Sequence, residues 1–240
     1  MSIPQDYVSV DLETTGLNPK IDKIIEIGMV IVRNGQVEQE DSTLVNPYQQ
    51  LRPETVELTG IRDEMLTDAP GISRVIGKCL ELCGDLPLLG HKILFDYSFL
   101  KKAAVNEGME FEKQGIDTLK LCRKFMPEAE KKNLSSACAY HGVDLTGAHR
   151  ASHDALATHE LYQRLTVAYG EAAEEEFLPK PLIYKIKREQ PATKRQKEVL
   201  RELLKYHKIN VTVQIDHLSR NEISRLTDKI ILQYGRMSKR

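Results

Sequence analysis

The sequence predicts an α/β fold, a mixed five-stranded sheet flanked by helices, with a small helical module appended. Three observations carry this. Residues 7–46 read as three strands joined as a meander, the following stretch alternates two further strands with helices, and two helix-start signatures lie beyond an acidic, proline-bearing connector. The expected division is a domain over 1–172, a connector over 173–192 and a module over 193–240.

"YVSVDLETTG" is a strand running into a loop. Alternate strand residues point to opposite faces, so Val8, Val10 and Leu12 share one side while Ser9, Asp11 and Glu13 share the other. "KIIEIGMVIVRNGQVEQEDSTLVNP" holds two strand-like runs joined by Asn34-Gly35, a favoured hairpin turn. "RPETVELTGIRDEMLTDAP" reads as short helical turns, with a helix at about 71–83 and "LPLLGHK" as a buried strand after it. A helix over about 96–107, the strand and helix start in "GIDTLKLCRKF", the helix in "NLSSACAYHGV" and the long helix in "RASHDALATHELYQRLTVAYG" complete the domain.

In the module, Thr193 with Gln196 and Ser219 with Glu222 form two capping boxes, and Leu218 with Ile223 can staple the second. Leu200, Leu203 and Leu204 on one helix and Ile223, Leu226, Ile230 and Ile231 on the other form apolar stripes, while "INVTVQID" between them alternates like a strand. This is a folded unit, not a disordered tail.

The chain of 240 residues has a formal net charge of -1, which conceals a division. Residues 180–240 hold 16 Lys and Arg against 6 Asp and Glu, so an acidic body carries a basic end of the kind that meets polyanions. The apolar run "IIEIGMVIV" is too short to span a membrane and contains Glu26, and "MSIPQDYVSVD" lacks the basic region and apolar core of a secretory signal, so none is expected. A cytoplasmic location is expected, with Cys79, Cys83, Cys122 and Cys138 as reduced, mostly buried thiols.

Taken singly, Asp11 and Glu13 read as strand-end acids, and Asp96 in "HKILFD" reads as a helix cap. Asp154 in "HRASHD" borders the packed face of the long helix, where a carboxylate is costly unless a cation or strong donors neutralise it. Together the four acids make an oxygen-only set suited to two hard divalent ions, Mg2+ or Mn2+, able to promote phosphodiester cleavage. A histidine just before Asp154 supplies a side chain that titrates near neutrality, as a general base requires.

The three motifs "DLETTG", "HKILFD" and "HRASHD", in this order and context, resemble those of the DEDDh family of 3′-to-5′ exonucleases in the ribonuclease H-like superfamily. The likeness covers about residues 5–170 and is greatest to bacterial proofreading exonucleases related to the epsilon subunit of DNA polymerase III. It implies a ribonuclease H-like sheet, Asp11, Glu13, Asp96 and Asp154 as ligands of two metal ions, and His149, five before the last Asp, as the base. It also implies that Thr14, Thr15, Leu17, Ile61 and Phe95 line the pocket for a 3′-terminal nucleotide, although Ile61 and Phe95 read equally well as core residues.

Two positions depart from the family pattern. Lys92 stands where Asn usually follows the second motif's His, and His153 beside Asp154 is a rival to His149. The expected reaction is removal of nucleoside 5′-monophosphates from DNA 3′ ends in proofreading or repair. RNA as substrate and a catalytically silent nucleic-acid-binding scaffold are the alternatives. Expected partners are nucleic acid, with DNA favoured over RNA, and a DNA polymerase subunit, with no membrane; the basic module is read as holding nucleic acid, docking a polymerase or presenting a solvated surface.

Overall fold

A computed structural model of the chain describes residues 2–145 and 149–237. Strands β1 (Tyr7–Thr14), β2 (Ile24–Arg33) and β3 (Gln36–Leu44) form the expected antiparallel meander, turned at Asn34 and Gly35, whose φ values of 50° and 72° suit the tight hairpin. Helices α1 (Pro53–Thr59), α2 (Asp63–Leu66) and α3 (Ile72–Cys83) follow, then β4 (Leu88–Gly90), α4 (Leu94–Asn106), β5 (Gln114–Asp117), α5 (Thr118–Phe125), α6 (Leu134–His141) and α7 (Ala151–Tyr169). β4 and β5 run parallel to β1, as the intervening helices require.

Among the described residues the sheet has six strands, not five, in the order β3-β2-β1-β4-β5-β6. The sixth, β6 (Lys180–Pro181), comes from the expected connector and pairs antiparallel with β5. Two residues with a proline are tolerated only at a sheet edge, and an element so short leaves no periodicity to read. Phe177, just before it, is fully buried against Phe125 and Tyr162. Compact unit 1 accordingly covers residues 1–47 and 51–186, and unit 2 covers 48–50 and 187–240.

The two sheet faces divide the core. Val8, Val10 and Leu12 of β1 pack with Ile27, Met29 and Ile31 against Val75, Ile76, Tyr97 and Leu100 of α3 and α4. Tyr7, Val30, Val32 and Leu89 pack against Ala155, Leu161, Tyr162 and Leu165 of α7. All four cysteines are free and buried. Among the described residues no helix is long and apolar enough to cross a membrane.

Gly28 sets how closely α7 approaches β2. A methyl group there would overlap the backbone of Ala151 and Ser152, which occupies the space a side chain would fill. Gly28→Ala is therefore expected to destabilise the protein by about 1–3 kcal/mol, the usual cost of overpacking, measured by urea unfolding.

In unit 2, α8 (Lys194–His207) and α9 (Arg220–Tyr234) carry both expected capping boxes, and their stripes meet in one apolar cluster that includes Leu218 and Ile223. "INVTVQID" is not a ladder strand. Val211, Val213 and Ile215 turn one side of an extended segment onto that cluster, with a single bridge from Val213 to Gln49 and a 3-10 turn over Ile215–His217. Its alternation reports one-sided burial, which an extended loop satisfies as well as a strand. The last three residues of the expected module lie outside the described residues.

Candidate active site

The odd face of β1 is a ladder aimed at α7. Tyr7 Oη hydrogen-bonds His159 Nδ1 at 2.9 Å, and Ser9 Oγ donates to the Ala155 carbonyl at 2.7 Å. The next two residues on that face are Asp11 and Glu13. β1 steps two residues per rung and α7 four, so the carboxylates at the strand end meet the first turn of α7, where Asp154 lies.

α4 delivers the fourth acid. It follows β4 directly, so it starts at the end of the sheet where β1 also ends. The helix begins at Leu94, not at 96, which places Asp96 inside the first turn and not at the cap. Asp96 is buried, and the polar backbone of Leu12 and of its own residue only partly offsets the rise that burial imposes on its carboxyl.

Glu13, His149 and Asp154 come together so that one ligand atom from each lies within 4.8 Å of the others. The His149 N–H donates to Asp154 Oδ2 at 2.9 Å, closing a turn in which His149 adopts φ +67°. A left-handed backbone costs a residue with a Cβ about 1–2 kcal/mol, and such strain gathers at functional sites.

The charge is poorly compensated from within. Asp11 as a residue is half-buried, but its carboxyl is held well above the ordinary carboxylate range, chiefly by loss of water and then by repulsion from Asp96, Asp154, Glu13 and Glu26. Burial pushes Glu13 up to about 7, with Asp154 and Glu26 adding and Arg150 opposing. Burial likewise raises Asp96 and Asp154. Carboxylates crowded this way and low in internal cations fit a site that takes divalent cations through oxygen ligands.

The residues expected to meet a nucleotide separate into two groups. Leu17 is 83% exposed beyond the strand end, an apolar side chain presented to solvent. Phe95 is half-buried one residue from Asp96 with its ring 5.1 Å from that of Phe99, and Thr14 donates to the Gly16 carbonyl at 2.7 Å. Thr15 and Ile61 are enclosed. The Thr15 hydroxyl accepts from the Lys23 N–H at 3.0 Å and its carbonyl accepts from Arg52, while Ile61, 0% exposed, packs with Ile25, Leu51 and Leu66. In this conformation Ile61 is a core residue.

The two departures acquire a physical setting. Lys92 has φ +82°, a conformation that Asn or Gly adopts more readily than Lys, and its N–H donates to Asp117 Oδ1 at 3.1 Å. The position is a backbone requirement, and Lys92→Gly is expected to raise stability by about 0.5–1 kcal/mol in a thermal melt. His91 before it is fixed on both ring nitrogens, to Thr118 Oγ1 at 2.9 Å and the Lys132 carbonyl at 2.7 Å.

Sequence reasoning passed over Glu26 and Arg150. Glu26 is 0% exposed on β2, directly opposite Glu13, and Arg150 Nη2 donates to its Oε1 at 2.8 Å. The signal was present: a charge inside "IIEIGMVIV" must be paired when buried, and Gly28 two residues on marks a close backbone approach.

The sequence model of the family described as Exonuclease matches residues 8–162, more than half of the chain, and takes in Asp11, Glu13, Glu26, Asp96, His149 and Asp154. The chain belongs to the exonuclease family. This exonuclease is 39% identical over 155 residues to DNA polymerase III PolC-type of Bacillus cereus, covering 64% of this chain and 11% of the relative. To the corresponding protein of Bacillus subtilis it is 40% identical over 157 residues, covering 64% and 11%. It thus spans about a tenth of the curated relatives it matches. Among solved structures, exonuclease X in complex with 5′ overhanging duplex DNA is 26% identical, with a TM-score of 0.58 over 70% of this exonuclease and 96% of that chain. Escherichia coli exonuclease I in complex with a dT13 oligonucleotide, 16% identical with a TM-score of 0.62 over 72% and 43%, shares the fold. The family makes the protein a nuclease hydrolase.

Proposed function

We propose that this exonuclease is a metal-dependent 3′-to-5′ enzyme acting on DNA, with the basic module as a nucleic-acid or partner-binding unit and a cytoplasmic place of action. The observation that carries the reading is the convergence of Asp11, Glu13, Asp96 and Asp154 at the end of β1, with His149 beside two of them. The relation to polymerase III PolC-type proteins and to a structure holding DNA favours DNA over RNA, and a polymerase as partner.

In this reading the four acids hold two divalent ions, Mg2+ or Mn2+, which when bound activate a water and stabilise the leaving oxygen. His149, exposed and next to Asp154, accepts the proton of the water as its oxygen attacks the terminal phosphorus. The bond from phosphorus to the 3′-oxygen of the preceding nucleotide breaks, that oxygen takes up a proton from solvent, and a nucleoside 5′-monophosphate leaves. Leu17 and Phe95 wedge the terminal base, Thr14 and the Thr15 backbone face its sugar, and Ile61 supports them from behind.

The test is direct: purified protein with Mn2+ or Mg2+ is given 5′-labelled single-stranded DNA, 3′-mismatched duplex and RNA of equal length. Shortening from the 3′ end with release of monophosphates, faster on DNA, is expected. No release from any of them, with Asp11→Asn indistinguishable from the parent, overturns the enzyme reading, and a preference for RNA overturns the substrate.

The module supplies positive charge that the acidic unit lacks. Lys194, Arg195, Lys205 and Lys208 are exposed on or just beyond α8. Replacing all four with Gln is expected to weaken single-strand binding and flatten its dependence on log salt by about 0.7 for each phosphate no longer neutralised. Unchanged affinity and slope would overturn nucleic-acid holding and leave partner docking or a solvated surface as the module's role.

A further inference from the structure

Resting on the reading just given, we propose that Glu26 is a positioning residue for the reaction, which sets His149 and Asp154 by gripping the start of α7, without itself binding metal or substrate. Its carboxylate is saturated. Oε1 accepts from Arg150 Nη2 at 2.8 Å, Arg150 Nε at 3.1 Å and Ser42 Oγ at 3.2 Å, and Oε2 accepts from the Ala151 N–H at 3.1 Å and Arg150 Nε at 3.2 Å. A carboxylate offers about four lone-pair sites, so these donors leave none to direct at an ion.

The gripped residues are the ones that hold the site in shape. Arg150 is the N-cap of α7 and its side chain makes no cap, so the first amide of the helix, that of Ala151, is satisfied by Glu26 from another strand. The preceding residue is His149, in its left-handed conformation, tied to Asp154 through its N–H. Two carboxylates therefore define one turn, Asp154 holding residue 149 and Glu26 holding 150 and 151. Gly28 on the same strand face admits the backbone of Ala151 and Ser152, so the grip and the close approach reinforce each other.

An ion pair with its carboxylate fully buried and its guanidinium half-exposed could instead serve stability alone, and a double replacement separates the roles. Glu26→Gln strands the Arg150 charge and is expected to lower both melting temperature and turnover. Glu26→Gln with Arg150→Met removes both charges, which commonly restores stability. The proposal expects its melting temperature to return close to that of the parent while kcat stays about 10- to 100-fold down, the range found when supporting partners of a site are removed, with KM for a single-stranded oligonucleotide within about threefold. Amide exchange at residues 149–154 should quicken about tenfold or more in the double variant against unchanged exchange at 158–165. Parental kcat together with restored stability overturns the proposal, as does a raised KM with unchanged kcat, which would make Arg150 a substrate contact. If the parent protein cleaves nothing, the enzyme reading falls on that result, while the exchange measurement still decides whether Glu26 holds the turn.

Discussion

Asp11→Asn is expected to lower the rate of nucleotide release by about three orders of magnitude at saturating Mn2+, and to make the ion-free protein more stable. The first effect follows from the several kcal/mol that metal ions contribute to such transition states, at a factor of ten per 1.36 kcal/mol. The second follows from crowding. Asp11 is desolvated and surrounded by Asp96, Asp154 and Glu13, so its charged form is disfavoured in the folded state. A carboxylate whose folded pKa lies above its unfolded value binds more protons when folded, so stability falls as pH rises from the unfolded value toward the folded one. Glu13 shows the same sign, with its window running from its ordinary value up to about 7. In EDTA at pH 8 the Asn variant should melt above the parent, and the gap should shrink as pH is lowered toward 5. Saturating Mn2+ should reverse the order, since ligand at a hundred times its dissociation constant contributes about 2.7 kcal/mol to the parent and less to the variant. A variant as active as the parent, or one no more stable at pH 8 without ions, contradicts the assignment.

The same crowding explains what was legible beforehand. Asp11 and Glu13 stood out because strand alternation placed them on one face, and the structure carries that alternation into the ladder from Tyr7 and Ser9 to α7. Asp96 and Asp154 stood out through their places at the starts of helices, which survived a two-residue shift of the first helix boundary. Glu26 does not stand out, because a single charge in an apolar strand argues by itself only against a membrane span, whereas its meaning lies in a partner 124 residues away. Ile61 is ambiguous for a related reason: an apolar side chain beside a glycine serves a pocket wall and a core equally well, and the sequence does not show that Ile25, Leu51 and Leu66 pack around it. β6 and the folded part of the connector depend on docking of Phe177 and on an edge pairing, both contacts distant in sequence.

His149→Asn is expected to reduce kcat by about 10²- to 10⁴-fold, the usual contribution of a general base, with little change in melting temperature. Asn is the informative replacement because it tolerates the left-handed backbone of this position, φ +67°, whereas Ala would add a backbone penalty to the chemical one. The His149 N–H bond to Asp154 is a main-chain interaction and survives the change. The ring lies close enough to Glu13 and Asp154 for one ligand atom of each to share an ion, so a base and a metal ligand must be told apart. A base leaves Mn2+ affinity near the parental value while turnover falls; a ligand weakens Mn2+ binding in proportion to the loss, which calorimetry of the ion alone would register. His153→Ala serves as the comparison and is expected to stay within about threefold of the parent, well short of the general-base range. Loss of turnover in His153→Ala with His149→Asn intact would transfer the base to the other histidine. His149 is exposed beside Glu13 and Asp154 in a left-handed turn, so its ring is open to solvent while their carboxylates are buried, the placement that the comparison of the two histidines tests.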